Sequence, residues 1–349
     1  MFFTVSSHAH DCLPYSRKIT NNLWLHTASP DQFVGYRLGA LGGCFVSIDT
    51  ESLLINYSFF KDFDLWHSEE LGILISNNTP VQGQTLANDI VSTKIVDQGL
   101  QHSYFDWRTF YNQPRISKNQ AVDTVKQLLL DNLLECQKVS SQNLQVVFTG
   151  GLDSSTLAFL CHFYRLPFRC LLDQNHQGYW KDLPFDNIQY VKVGTDPYND
   201  LPDVRASFYQ AEHNCAVTGF FGDCTVLHHS ALFAQCQDLP YYAKVDTVYS
   251  NEPVEQLPRF RNTNQVLSAV RNTLISTRFR HWFKDFLVLD AYRDPRLAAA
   301  VMSLDWQDLV EQFGSGYIQK EIIKSLNPQW LDLICDSKNN YEKFKHLTK

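Results

Sequence analysis

A seven-residue segment with two glycines and four polar side chains is the part of the sequence best suited to chemistry. It comprises Thr149, Gly150, Gly151, Leu152, Asp153, Ser154 and Ser155. Glycines let main-chain N–H groups approach a ligand closely, and a following helix directs its free N–H groups and positive dipole end to the same place. With the hydroxyl groups, these features predict a phosphate or pyrophosphate site. Asp153 is then suited to hold a Mg²⁺ that bridges phosphate oxygens.

The flanking residues predict that this segment joins a strand to a helix. Residues 143–148, NLQVVF, form a short apolar run rich in β-branched side chains, and residues 156–165, TLAFLCHFYR, have helical character. The phosphate-binding patterns G-x-x-x-x-G-K-[ST] and G-x-G-x-x-G are absent here. The simplest alternative is a structural turn, with glycines that make it tight and Ser and Asp side chains that cap the helix.

The sequence VVFTGGLDSST (146–156) resembles the pyrophosphate loop S-G-G-x-D-S of the PP-loop ATP pyrophosphatases. The leucine before Asp153 and the paired serines are similar to the asparagine synthetase and β-lactam synthetase branch of that superfamily. Thr149 replaces the usual serine and keeps a hydroxyl group. The resemblance implies ATP as the nucleotide, Mg²⁺ as the cation, and a loop that binds the departing pyrophosphate.

A second segment resembles the later strand of that branch, which ends in S/T-G-x-G-x-D. Residues 218–223, TGFFGD, occupy that place and include Gly219 and Asp223. The resemblance implies that Asp223 is the other Mg²⁺ ligand beside Asp153. Two carboxylates at the ends of neighbouring parallel strands are able to share one cation, and ligands bind at that edge of open α/β sheets. The alternative is that Asp223 is a surface turn residue.

A third resemblance lies in the C-terminal part. Residues 289–304, LDAYRDPRLAAAVMSL, are similar to the family segment P-L/F-x-D-x-x-L and its helix, and residues 316–326, GYIQKEIIKSL, to G-x-x-K-x-x-[LI]-R. The resemblance implies that Lys320 is the catalytic lysine, while Lys324 stands where arginine is usual. Residues 337–344, SKNNYEKF, are similar to the closing basic-aromatic segment. Without the family pattern, Lys320 is simply a solvated helix lysine.

Strands that alternate with helices predict an α/β fold with a parallel sheet that has helices on both faces. Besides residues 143–148, the strand candidates are 167–173, 188–194 and 215–223. The predicted helices are 121–139, 156–165, 206–214 and, past residue 260, 264–276, 281–292, 294–304 and 316–326. The family resemblance assigns this part to a PP-loop, adenine nucleotide α-hydrolase-like domain.

The first third of the chain is β-rich, with strand candidates 42–49, 52–60 and 71–77. With a boundary near Pro114–Asn119, we predict a domain of residues 1–115 and a synthetase domain of residues 116–349. The resemblance implies that the first domain is a smaller Ntn-hydrolase-like glutaminase. Family members use a cysteine at position 2, whereas Phe2 stands here and the first cysteine is Cys12. Since such a nucleophile needs its own free amine, we expect no glutaminase activity.

Two positions depart from the family pattern near the second aspartate. Asparagine synthetases follow that aspartate with Glu, but Cys224 follows Asp223 here. β-Lactam synthetases have a Tyr of a deprotonating Tyr–Glu pair where this chain has Phe220. A phenyl ring cannot relay a proton, which argues against a β-lactam product but not against ATP handling.

Composition excludes several classes of protein. The 349 residues include 37 acidic and 30 basic side chains, for a net charge of −7, so no nucleic-acid partner is expected. No apolar run reaches about 18 residues, and MFFTVSSHAHD lacks a basic n-region, so neither a membrane partner nor a signal peptide is expected. Nine scattered cysteines without a C-x-x-C pair are typical of reduced thiols in a cytoplasmic protein. No metal site is predicted among two further clusters, namely His8, His10 and Cys12, and His228 with His229.

Together, the motifs imply an ATP-dependent, AMP-forming carbon–nitrogen ligase that adenylates a carboxylate without using glutamine. The substrates would be a small-molecule or peptide carboxylate and an amine, and the product an intermolecular amide, an intramolecular ring or a peptide macrolactam similar to those of lasso-peptide cyclases. A partner protein or precursor peptide would complete such a system. The alternatives are a degenerate synthetase-fold scaffold and a tRNA-modifying PP-loop enzyme, which the acidic charge and scattered cysteines disfavour.

Overall fold

The computed structural model describes eighteen stretches of the chain, residues 3–7, 15–20, 23–27, 33–49, 51–59, 65–71, 73–76, 84–87, 90–96, 99–106, 113–140, 143–173, 182–191, 194–195, 202–203, 215–219, 221–227 and 287–334. Contacts divide them into two compact units. The described residues of the first unit lie in Met1–Trp107, and those of the second lie in Arg108–Ser276 and Asp285–Lys349.

The first unit contains two antiparallel sheets. Its strands are β1 Phe3–Ser6, β2 Tyr15–Thr20, β3 Leu23–Thr27, β4 Phe33–Leu38, β5 Gly42–Asp49, β6 Leu54–Tyr57, β7 Trp66–Ser68, β8 Ile73–Ser76, β9 Gln84–Thr85, β10 Ile90–Val96 and β11 Gly99–Tyr104. The strand orders are β2-β3-β1-β8-β7-β9 and β11-β10-β6-β5-β4. Alternate residues of both sheets, such as Phe3 and Val5 of β1 and Val46 and Ile48 of β5, enter one buried cluster. The period of two places one face of each sheet in a shared core.

The second unit contains a five-stranded parallel sheet with helices. Its elements are α1 Lys118–Val139, β12 Leu144–Val147, α2 Leu152–Phe163, β13 Phe168–Asp173, β14 Ile188–Val191, β15 Gly194–Thr195, β16 Pro202–Asp203, β17 Cys215–Thr218, α3 Gly222–Thr225, β18 Leu287–Asp290, α4 Pro295–Met302, α5 Trp306–Ser315, α6 Tyr317–Leu326 and the 3₁₀ helix Pro328–Leu333. The sheet order is β14-β13-β12-β17-β18, and every pair is parallel. The chain is therefore mixed α/β, as predicted. The strands β15 and β16 form a separate antiparallel pair.

Local signals in the sequence explain the helices next to the sheet. Ser117 begins α1 with a capping box, in which its hydroxyl accepts from the Gln120 N–H and its own N–H donates to the Gln120 side chain. The apolar positions of α1 recur every three or four residues and are buried, as at Val125, Leu129 and Leu133. Helix α2 is buried almost all round and contacts β12 and β13, while α6 packs on α1 and α2. None of the helices in the described stretches is long and apolar enough to cross a membrane.

One predicted helix was wrong. Residues 281–292 were predicted to be helical, but Leu287–Asp290 form β18, which pairs in parallel with β17 from Cys215↔Leu287 to Thr218↔Asp290. A short apolar run such as LVL fits a buried strand or a buried helix equally well, and only the neighbouring strand decides. The helix Trp306–Ser315 was not predicted, and α2 begins at Leu152 rather than at residue 156. The predicted helices 206–214 and 264–276 lie outside the described residues.

A buried polar group joins α1 to the segment between β18 and α4. The Asn132 side chain is 1% exposed and donates to the carbonyl of Ala291 at 2.8 Å and to Asp294 Oδ2 at 3.1 Å. Asp294 in turn caps α4 by accepting from the Arg296 N–H at 2.9 Å. Asn132 thus holds the chain that leaves the sheet edge.

Replacing Asn132 tests this connection. Asn132→Ala should lower the free energy of unfolding by roughly 1–3 kcal/mol, because two buried acceptors lose a donor. The measurement is urea unfolding followed by circular dichroism. Asp123→Ala, on the exposed face of the same helix, should change stability by less than about 0.5 kcal/mol. Equal effects of the two substitutions would contradict the assignment.

Candidate functional site

The sequence-predicted loop lies where the strand order of the parallel sheet reverses. From β12 the chain continues to β13 and β14 on one side, whereas β17 and β18 lie on the other side. β12 and β17 are neighbours, with Val146 opposite Val217. Both strands end at the same edge, so the segments that follow them meet there. In open α/β sheets this reversal point is the usual place for a ligand.

The loop after β12 has the backbone that its glycines predict. Gly150 has φ +76°, a left-handed conformation that side chains other than glycine rarely adopt. Gly151 is the N-cap residue of α2. Because it has no side chain, it accepts no hydrogen bond from the first N–H groups of the helix through a side-chain oxygen. Such N–H groups and the helix dipole favour an anion.

The three hydroxyl groups of the loop have different roles. Ser154 Oγ accepts from the Thr149 N–H at 3.1 Å, lies 2.9 Å from Thr149 Oγ1 and donates to the Gly151 carbonyl at 3.2 Å. Ser154 therefore holds the loop closed. Ser155 is fully buried, and its hydroxyl has no hydrogen-bond partner among the residues that the structure describes. A buried hydroxyl without a partner is costly, and the arrangement fits an anionic group that would accept from it.

The second segment is in direct contact with the first. A Cβ atom built on Gly219 would lie 3.0 Å from Asp153 Cβ and from the Ser154 nitrogen. A Cβ built on Gly222 would lie 2.2 Å from Asp153 Cγ and Oδ1. Gly222 stands one position later than the second glycine of the family pattern, yet it lies against the aspartate. The structure therefore brings residues 149–155 together with Gly219 and Gly222, and only glycine fits at position 222.

Asp153 also contacts α6 and the segment between β18 and α4. The Gln319 Nε2 donates to Asp153 Oδ1 at 2.9 Å, and the Tyr292 hydroxyl donates to the Asp153 carbonyl at 3.2 Å. Lys320 follows Gln319 on α6 and is half-buried. Since successive side chains of a helix point about 100° apart, the side chain of Lys320 points in a different direction from that of Gln319. The helix that carries Lys320 thus contacts the loop through Gln319.

A buried carboxylate connects β18 to the turn after β17. Asp290 Oδ2 accepts from Thr218 Oγ1 at 2.9 Å and from the Phe221 N–H at 3.1 Å, while Oδ1 accepts from the Tyr292 N–H at 2.8 Å. Burial raises the pKa of Asp290 from 3.8 to about 7, against the opposing effects of Arg293 and these donors. The Arg293 guanidinium lies 4.7 Å from the centre of the Phe221 ring. Asp290 thus fixes the turn that carries Gly222.

Three residues of this site were not predicted from the sequence: Asp290, Tyr292 and Gln319. Asp290 and Tyr292 fell in the stretch wrongly predicted to be helical, which hid an aspartate at the carboxyl end of a parallel strand. Gln319 is adjacent to the predicted Lys320, but an amide side chain on a helix has no pattern of its own. Only their contacts with Asp153 and with the turn identify these residues.

Some predicted residues lie outside what the structure describes. Asp223 and Cys224 lie in α3, but their side chains are outside what the structure describes. Phe2, His8, His10, Cys12, Phe220, His228, His229 and residues 337–344 lie outside the described residues. Within the described stretches, no group of three His, Cys, Asp or Glu side chains is arranged to bind a metal ion. Four described cysteines form no disulfide bond, namely half-buried Cys44 and buried Cys136, Cys161 and Cys170.

A cavity of about 790 Å³ lies at the other end of α2. His162, Phe185, Trp330 and Arg165 are among its lining residues. Trp330 also stacks on Phe159, with 4.9 Å between the ring centres. None of the predicted site residues that the structure describes lines this cavity. The cavity is therefore separate from the site formed by residues 149–155, Gly219 and Gly222.

No protein-family model matches the chain, and no curated protein matches it either.

The contact between Gly222 and Asp153 predicts an asymmetric response to alanine. Gly222→Ala should lower the free energy of unfolding by roughly 1–3 kcal/mol, because the new methyl group displaces the Asp153 carboxylate or moves α3. Gly151→Ala, whose Cβ would meet its nearest atom at 3.4 Å, should cost less than about 1 kcal/mol.

Chemical unfolding of both variants measures this difference. Asp153→Gly should recover part of the stability lost in Gly222→Ala, because it removes the atoms that the methyl group would meet. Strictly additive losses in the double variant would contradict the contact.

The raised pKa of Asp290 predicts a pH dependence of stability. The folded state keeps this proton up to about pH 7, whereas the unfolded carboxyl group loses it near 3.8. Through this group, the free energy of unfolding therefore falls as the pH rises from about 4 to about 7, by roughly 2 kcal/mol between pH 5 and pH 7. Urea unfolding over that range should show the fall in the wild type and not in Asp290→Asn. Parallel curves of unfolding free energy against pH for the wild type and Asp290→Asn would contradict this role of Asp290. Asp123→Asn, at an exposed position, is the control and should show the same curve as the wild type.

Proposed function

We propose that the protein is an ATP-dependent, AMP-forming amide ligase of the asparagine synthetase and β-lactam synthetase type. It would adenylate a carboxylate with release of pyrophosphate and transfer the acyl group to an amine without using glutamine. The carboxylate would belong to a small molecule or a peptide, and the amide would form between two molecules or close a ring. ATP and Mg²⁺ are the expected ligands, and the cytoplasm is the expected compartment.

The observation that carries this proposal is the contact of two separate Gly- and Asp-containing segments at the reversal point of the sheet. Gly219 and Gly222 pack against Asp153, although 66 and 69 residues separate them from it in the chain. A structural turn would need only its own glycines. Gly219 and Gly222 let the second segment pack directly against Asp153 and the start of α2. Both segments therefore lie at the edge of the sheet where the first N–H groups of α2 favour an anion.

The residues of the first segment would bind the polyphosphate. The left-handed Gly150 and the uncapped start of α2 present N–H groups, the buried Ser155 hydroxyl supplies a donor, and Ser154 keeps the loop closed. Preorganised donors of this kind stabilise the negative charge that leaves with pyrophosphate. Asp153 and Asp223 would hold Mg²⁺, which neutralises phosphate charge when it is bound.

Lys320 is proposed as the catalytic lysine. Its charge would stabilise the transition states of adenylation and of attack by the amine. The assignment rests on the resemblance of residues 316–326 to the family segment, and α6, which carries Lys320, contacts the loop through Gln319. At the level of the fold, we propose that the second unit is a PP-loop domain and the first a degenerate Ntn-hydrolase-like domain. The five-stranded parallel sheet supports only the first of these two assignments.

ATP binding is the decisive test. The purified full chain should bind ATP in a Mg²⁺-dependent manner in calorimetry, and Asp153→Ala should weaken that binding by roughly tenfold or more, because a cation ligand is lost. Asp123→Ala, an exposed carboxylate on α1, should bind like the wild type.

Pyrophosphate–ATP exchange with amino acids and peptides as candidate acids then tests adenylation. Exchange that requires one acid and disappears in Asp153→Ala would identify the substrate. Absence of ATP binding in the folded wild type would refute the proposal and favour the scaffold alternative.

A further inference from the structure

Two buried glutamines form a hydrogen-bonded chain that ends on Asp153. Gln312 of α5 and Gln319 of α6 are both fully buried. Gly316, with φ +60°, lies between the two helices and lets the chain bend sharply there. The bend brings the two amides together, and Gln312 Nε2 donates to Gln319 Oε1 at 3.1 Å.

Backbone groups determine which way each amide points. Gln312 Oε1 accepts from the Ile318 N–H at 2.7 Å, and Gln312 Nε2 donates to the Val226 carbonyl at 2.8 Å. A backbone N–H only donates and a carbonyl only accepts, so the Gln312 amide has one possible orientation. Its NH₂ group therefore meets the oxygen of Gln319. The NH₂ group of Gln319 is left to face Asp153, to which it donates at 2.9 Å.

The chain of bonds connects both sequence segments. It begins at Val226, directly after α3, and ends at the carboxylate of the first segment. Both amides lie where water has no access, and their hydrogen bonds satisfy the polar atoms. Gln319 thus presents Asp153 with a donor of fixed orientation.

We propose that Gln319 is a positioning residue that orients the Asp153 carboxylate for cation binding, and that Gln312 fixes the amide of Gln319. The inference rests on the proposed function, because it assigns Asp153 to a bound Mg²⁺. Carboxylates that ligate metals are commonly held by hydrogen bonds from a second residue, and loss of such a partner typically costs about 10- to 100-fold in metal affinity. A purely structural amide pair would affect the stability of α5 and α6 and leave the Mg²⁺ requirement unchanged.

The test compares the Mg²⁺ dependence of ATP binding in the full-length wild type and in Gln319→Met, which keeps the side-chain length and removes the donor. We expect the Mg²⁺ concentration for half-maximal ATP binding to rise about tenfold or more in Gln319→Met. Gln312→Met, which frees the Gln319 amide to rotate, should raise it severalfold. Thermal unfolding verifies that each variant is folded.

Gln127→Met is the matched control. Gln127 donates to Asp131 at 2.8 Å on the exposed face of α1, so the same kind of bond is removed away from the site. Its Mg²⁺ requirement should equal that of the wild type. An unchanged requirement in folded Gln319→Met, or in Gln312→Met if the former does not fold, would overturn the positioning role alone. Absence of Mg²⁺-dependent ATP binding in the wild type would overturn both this role and the proposed function.

Discussion

The site in the second unit depends above all on the close contact between Gly222 and Asp153. A methyl group at position 222 would lie within 2.2 Å of the carboxylate, so the two segments meet with no room for a side chain. The meeting requires that β12 and β17 be neighbours and end at the same edge. It also requires that the turn between β17 and α3 keep its shape. The remaining contacts around the site serve to maintain this geometry.

Buried polar groups hold the two segments in place from three directions. Asp290 at the end of β18 accepts from the turn that carries Gly222, Tyr292 donates to the Asp153 carbonyl, and Gln319 donates to its carboxylate. Each of these groups is costly to bury unless its partners are present. A network of this kind therefore has little tolerance for alternative positions. The raised pKa of Asp290 is a consequence of the same burial.

The proposed chemistry depends on polar groups that buried hydrogen bonds hold in one orientation. Stabilisation of a leaving pyrophosphate is effective when the donors are already oriented before reaction. Ser154, which closes the loop with its own hydroxyl, and the two glutamines, whose amides have a fixed orientation, are residues of this type. In the proposed scheme, Ser154 keeps the loop closed and the two glutamines determine where the Asp153 carboxylate lies.

The sequence by itself determined the parts that depend on local order: the strand, Gly-rich turn and helix at residues 143–165, the long helix α1, and three of the strands of the first unit, β5, β6 and β8. Their signals are short-range, since hydrophobic period, β-branching, glycines and a capping serine act within a few residues. Only the tertiary structure decided that residues 287–290 form a strand, because its apolar run fits either element until β17 is beside it. The same holds for Asp290, Tyr292 and Gln319, whose importance arises from partners 69, 139 and 166 residues away. Contacts over such separations leave no periodic pattern in the sequence.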